Sequence, residues 1–369
     1  MNNGKSLMKI CVMVVFSMLI FSFSALPEPG IEGRPQVVLD GSIATVSVDV
    51  AGGSIVDFHL KDQGLNPLTW NYPEKGDLAP RTMGHFLCFD RWGQPSKQEL
   101  QNGMPFHGEA AKILWRVLSR PEKKDGSVNA QMQCVLPMGG LQLKRTLSLF
   151  DNDPVMIVRE EITNLNKLGR VYNIVQHATV APPFLDETVL VDANVKKGYM
   201  QESRMPNPEN PVIYWSKIAY RGELVDLRRL FDNARPGVVS YVFDRDEEYG
   251  WVTICNPKKE LLLGYIWKLS EYPWLNLWRN VRRGIPAARG LEFGTTGLHR
   301  PFNDTLKKGK IFDTPIYEYI DAGQTIEKSY VVFLTKIPAD YNGVAELYYH
   351  ERTISLKEME GKRDITINF

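Results

Sequence analysis

The 369-residue sequence is poor in cysteine, carries no excess of either charge and shows little helical periodicity. Of its four cysteines, Cys11 lies near the start, and Cys88, Cys134 and Cys255 follow with no Cys-x-x-Cys pair. At most one disulfide can form among the last three. That excludes a disulfide-stapled scaffold and disfavours a zinc site, so buried free thiols are expected. The 44 Lys+Arg are balanced by 43 Asp+Glu, leaving no basic excess to attract nucleic acid. No HExxH, GxSxG, P-loop or GxGxxG occurs, and no two of the six histidines stand three to five residues apart. Metal hydrolysis and nucleotide cofactors therefore lack a motif, and no metal or coenzyme is expected.

Long apolar runs are also missing, with one exception. Ile10–Phe23 is uncharged, follows Lys5 and Lys9, and leads into Ser22-Phe23-Ser24, a small-x-small cleavage pattern. This reads as a secretory signal peptide over residues 1–24, giving a periplasmic or secreted protein that begins near Ala25. The run is short for the ~20 residues a membrane span needs. Pro27 and Pro29 follow it, so no stable span is expected after cleavage. Residues 25–35 read as a flexible lead-in.

What remains is alternation. Ala44–Val50, Leu141–Phe150 and Val155–Ile162 place apolar residues at every second position, with turns such as Asp151-Asn152-Asp153-Pro154 between them. Val171–His177, Val239–Phe243, Trp251–Ile254, Leu261–Trp267 and Ile326–Leu334 look similar. Glu223–Phe231 is the main stretch able to make about two helical turns. No linker or repeat divides residues 36–369, so one all-β domain, a large antiparallel sandwich, is expected.

Few residues carry candidate chemistry. His107 follows Asn102-Gly103 and precedes Gly108. His177 ends an apparent strand shortly before Pro182-Pro183, which would hold its ring in place. Glu292 lies between apolar and glycine-rich residues, where burial would raise its pKa towards a base's working range. Tyr272–Arg279 concentrates Trp274, Trp278 and Arg279 in what reads as a loop. Aromatic faces beside polar groups suit a sugar, and core packing accounts for tryptophans equally well. Asp244, Asp246, Glu247 and Glu248 read as a solvated turn, lacking the spacing of a calcium loop.

The order of Phe89-Asp90-Arg91-Trp92-Gly93, Phe106-His107-Gly108, a mid-chain strand-end His177 and a late Leu291-Glu292-Phe293 resembles the galactose mutarotase (aldose 1-epimerase) superfamily, including its hexose-6-phosphate epimerase-like branch. The resemblance implies a β-supersandwich with a sugar cleft and interconversion of sugar anomers. It implies Glu292 as the base on the C1 hydroxyl, His177 as the acid on the ring oxygen, and Arg91 and His107 as sugar contacts. The partner is then a monosaccharide or glycan. Two other readings stay open. One is a non-catalytic carbohydrate-binding module with Trp274 and Trp278 as its platform. The other is a polysaccharide lyase or glycan-processing enzyme whose Arg279, Arg282 and Arg283 meet acidic sugars.

Overall fold

The computed structural model describes residues 31–220, 222–230, 237–361 and 363–369. Residues 1–24, the stretch expected to be a signal peptide, lie outside them. At the described end of the lead-in, Arg34 is buried and paired with Asp49 at 2.8 Å, so the chain is already fastened before the first strand.

Two large antiparallel sheets pack face to face. The first has ten strands, in the spatial order Gln36–Asp40, Ala44–Asp49, Ile55–Leu60, His85–Phe89, Ile174–Val180, Ile285–Gly294, Trp274–Arg282, Gly237–Phe243, Val195–Met200 and Ile213–Tyr214. The second has eight, including Leu141–Phe150, Val155–Asn164, Tyr249–Asn256, Leu261–Lys268 and Thr325–Lys336. The all-β antiparallel sandwich read from the alternation is what the chain forms. Leu141–Phe150 shows why, alternating buried and half-buried at every position. Its Leu141, Leu143, Leu147 and Leu149 join Leu87, Phe89, Leu275, Leu277, Leu291 and Phe293 of the facing sheet in one core. Cys88, Cys134 and Cys255 are buried free thiols.

Two expectations are corrected. Glu223–Phe231 does not begin a helix: Gly222 has a φ of +86°, and Glu223–Asp226 turns back to pair with Lys217–Tyr220. Nor is Tyr272–Arg279 a loop, because Trp274–Arg282 is a nine-residue strand inside the ten-stranded sheet. Among the described residues no helix is long and apolar enough to cross a membrane.

One polar group bridges the sandwich core. Arg145 and Glu160 of the eight-stranded sheet pair at 2.7 Å, and Gln176 of the ten-stranded sheet donates to Glu160 Oε2 at 2.7 Å. This bond anchors the strand that carries His177 from behind.

A third layer, the meander Val344–His350, Thr353–Glu358 and Asp364–Asn368, covers the outer face of the eight-stranded sheet. Its Leu347, Ile354, Leu356 and Ile367 pack with Trp251, Ile266, Val331 and Phe333. Ile354 is fully buried there, so Ile354→Val should cost about 1 kcal/mol in urea unfolding. A midpoint identical to the parent's would mean that this layer adds nothing to the cooperative unit.

Candidate active site

The strands bearing His177 and Glu292 are neighbours in the ten-stranded sheet, and the two residues are direct cross-strand partners. Both project from the face opposite the sandwich core, where Phe86, Trp70, Phe106, His107, Trp278 and His299 help to close a cavity of about 240 Å³. Space for it comes from residues with no side chain. Gly290 stands opposite Trp278 and two residues before Glu292. A Cβ there would lie 2.8 Å from Glu292 Oε1 and 3.0 Å from Trp278 Cβ.

Glu292 is held at both oxygens. Trp92 Nε1–H donates to Oε2 at 2.8 Å, and His177 Nε2 lies 3.1 Å from Oε1. Burial pushes its pKa up to about 8, against the opposing pull of the Trp92 bond. His177 stacks on Phe86 with ring centroids 4.1 Å apart, and its Nδ1 lies 2.9 Å from Thr179 Oγ1. The Thr179 hydroxyl donates to the His177 carbonyl, so it accepts a proton from Nδ1. Nε2 is then left as the acceptor for the Glu292 carboxyl proton. Burial also holds the His177 pKa well below the ordinary histidine value. The resting pair therefore carries one proton on two facing atoms.

His107 is fixed in another way. It adopts a φ of +67° and exchanges two bonds with Gly93: its N–H donates to the Gly93 carbonyl, and its Nδ1 accepts from Gly93 N–H, each at 3.1 Å. Its Nε2 consequently bears the hydrogen. Gly108 must be glycine, because a Cβ would sit 2.3 Å from the Phe89 carbonyl oxygen. Burial keeps His107 well below the ordinary histidine pKa, and burial with Arg300 nearby lowers His299 to about 4. Among the described residues no three His, Cys, Asp or Glu side chains form a group that could hold a metal ion.

Comparison with solved structures supports the same architecture. A galactose mutarotase-like protein from Clostridium acetobutylicum superposes with a TM-score of 0.61 at 12% identity, over 82% of this chain and 96% of that one. A galactose mutarotase related enzyme from Lactobacillus acidophilus gives 0.59 at 10% identity, over 82% and 98%. A galactose mutarotase-like protein from Lactobacillus casei gives 0.56 at 15% identity, over 81% and 100%. The chain has the galactose mutarotase-like fold. No family model and no curated protein matches the sequence.

Within this mutarotase-like fold, the cavity gathers four of the seven residues singled out in the sequence: His107, His177, Trp278 and Glu292. Three stand elsewhere. Arg91 is bound to Asp90 and Glu99 and lies over the Phe302 ring. Asp90 has a φ of +73°, and beyond this kink it is Trp92 that reaches Glu292. Arg279 follows Trp278 in a strand, so it points to the opposite face and is buried there. Arg282 and Arg283 lie at the hairpin end of that strand. The arginine trio therefore does not converge on the cavity. Trp274 is fully buried, donating to the Pro315 carbonyl at 2.8 Å.

Trp70, Trp92 and His299 were missed. Trp92 sits inside a quoted motif and was overlooked beside Arg91. His299 and Trp70 stand in loops without local pattern, and only the fold brings them to the cavity.

Proposed function

We propose that this chain is an exported aldose 1-epimerase-like isomerase that interconverts sugar anomers through Glu292 and His177. The observation that carries the proposal is the cross-strand Glu292–His177 pair, 3.1 Å apart at the floor of an aromatic-walled cavity. Anomer exchange requires one proton taken from the C1 hydroxyl and one given to the ring oxygen. Those two oxygens are bonded to one carbon, so the acid and the base must lie close together. Proton shift from Glu292 to His177 gives a carboxylate for the hydroxyl and an imidazolium for the ring oxygen. The opened aldehyde rotates about its C1–C2 bond, and reclosure returns both protons. Phe86, Trp70 and Trp278 offer aromatic surface to the C–H faces of the sugar, and His107 Nε2–H offers a donor to a hydroxyl. Export rests on the leader pattern of residues 1–24.

Proton NMR of a freshly dissolved α-sugar tests the reading directly. Purified protein should bring the anomers to equilibrium much faster than spontaneous mutarotation. Tight sugar binding with only the spontaneous rate would favour the binding-module alternative.

The pH profile follows from the pair. The one-proton form is lost as pH rises through about 8, where Glu292 gives up its proton, and His177 resists a second proton well below neutrality. We expect kcat/KM to be level between about pH 6 and 7.5 and to fall above about 8. Trp92→Phe removes a bond that favours the ionised carboxylate, so the alkaline limb should move to higher pH. A limb that stays in place or moves down would detach Glu292 from that ionisation.

A further inference from the structure

The cleft does not stop at the catalytic cavity. From the Glu292 strand, the next strand across the sheet carries Trp278 and the one beyond carries Val238. Trp278 and Val238 are register partners, standing side by side on the cleft face. Past them opens a second hollow of about 370 Å³, which shares Val238, Trp278 and His299 with the first. Its far side is made by Gly237, Glu202 and Arg300. Two hollows with three residues in common form one groove.

Length comes first in deciding what the groove holds. The His177 strand and the Val238 strand lie three strand spacings apart in the sheet, about 14 Å. A single six-membered ring seated on His177 and Glu292 does not cover that distance. The ridge between the hollows is also unusual. In the run Trp274–Val281 every residue is buried except Trp278. A large indole is kept partly in water where two hollows meet, as expected of a stacking surface. The second hollow has Glu202 and Arg300 among its lining residues. Arg300 Nη2 already donates to the Gln201 carbonyl at 3.1 Å, which leaves the other guanidinium N–H groups as donors and the Glu202 carboxylate as acceptor. One residue of each sign in the lining selects neither an anion nor a cation. They suit a neutral ligand rich in hydroxyl groups. Gly237 adds no side chain to obstruct it.

We infer that the substrate is a di- or longer saccharide, with its reducing-end ring on His177 and Glu292 and its next ring across Trp278 in the second hollow. This rests on the anomer-exchange reading and adds to it a second sugar subsite.

The test compares D-glucose and D-galactose with maltose, cellobiose and lactose, measuring anomer exchange by NMR on the full chain. At least one disaccharide should show kcat/KM tenfold or more above that of the monosaccharide forming its reducing end. Glu202→Ala, an exposed change that leaves packing intact, and Arg300→Ala should each lower the disaccharide value three- to tenfold. Monosaccharide values should stay within twofold. Equal kcat/KM for mono- and disaccharides, or variants that depress both alike, would overturn the subsite and leave the anomer-exchange reading in place. If no sugar is turned over, that reading fails on its own, and calorimetry decides the subsite. Tenfold tighter disaccharide binding that is lost in both variants supports it, and equal or absent binding removes it.

Discussion

Glu292→Gln should lower kcat for anomer exchange on the order of 10³-fold while sugar binding changes only a few-fold. The amide occupies the same volume, and its oxygen can still accept from Trp92 Nε1–H. Its nitrogen can donate to His177 Nε2. What it cannot do is take the proton of the C1 hydroxyl or share one with His177. The environment makes this loss large, since burial raises the carboxyl pKa to about 8, close to the working pH, where a group can both hold and release a proton. Single-turnover NMR with excess protein separates exchange from the spontaneous background, and calorimetry reads binding. A folded Glu292→Gln variant exchanging at the parent rate would remove Glu292 from the mechanism.

His177→Asn should lower kcat on the order of 10²-fold or more, with a smaller effect on KM. Asparagine keeps a donor and an acceptor but does not titrate, so the imidazolium that protonates the ring oxygen cannot form. It also loses the stack on Phe86, whose ring lies 4.1 Å from the imidazole. His107→Asn is the informative control. His107 is locked to Gly93 through its main-chain N–H and Nδ1, so only Nε2–H is left to face the sugar. Its loss should raise KM with a lesser change in kcat, as expected when binding is weakened equally in the ground and transition states. Equal, small effects of both substitutions on kcat would place the chemistry elsewhere and return the cleft to a binding role.

The sandwich was legible because each sheet buries one face, which writes a two-residue period into strands such as Leu141–Phe150. Glu223–Asp226 misled because its apolar residues are too few to distinguish a short strand from a helix, and the turn at Gly222 decided the matter. Around the cavity, His107, His177 and Glu292 were visible as unusual residues among glycines, prolines and apolar neighbours. Arg91 rested on the resemblance of its motif, and Trp274 and Arg279 on chemical type; neither fixes where a side chain points. Recognising Trp274–Arg282 as a strand would have separated Trp278 from Arg279 at once, since consecutive residues face opposite sides. Gly290, two residues before Glu292, was a further signal, marking a position on the same strand face without a side chain beside a carboxylate. Trp70 and His299 gave no comparable sign, because long-range packing alone places them.

The cross-strand pairing of His177 with Glu292 ties reactivity to alignment. On both strands, odd and even positions serve different masters: Val175, His177 and Thr179 face the cleft, while Ile174 and Ala178 join the core. On the partner strand, Gly290 and Glu292 face the cleft, while Leu291 and Phe293 fill the interior. Deleting a single residue within either strand would exchange the two sets beyond that point, driving a carboxylate or an imidazole among leucines and exposing a phenylalanine in the cleft. A length change in either strand at the floor, or in the loops that bring Trp92 and His107 to the cavity, would therefore undo the contacts described. The buried Glu292–His177 pair is thus kept or lost together with the sheet.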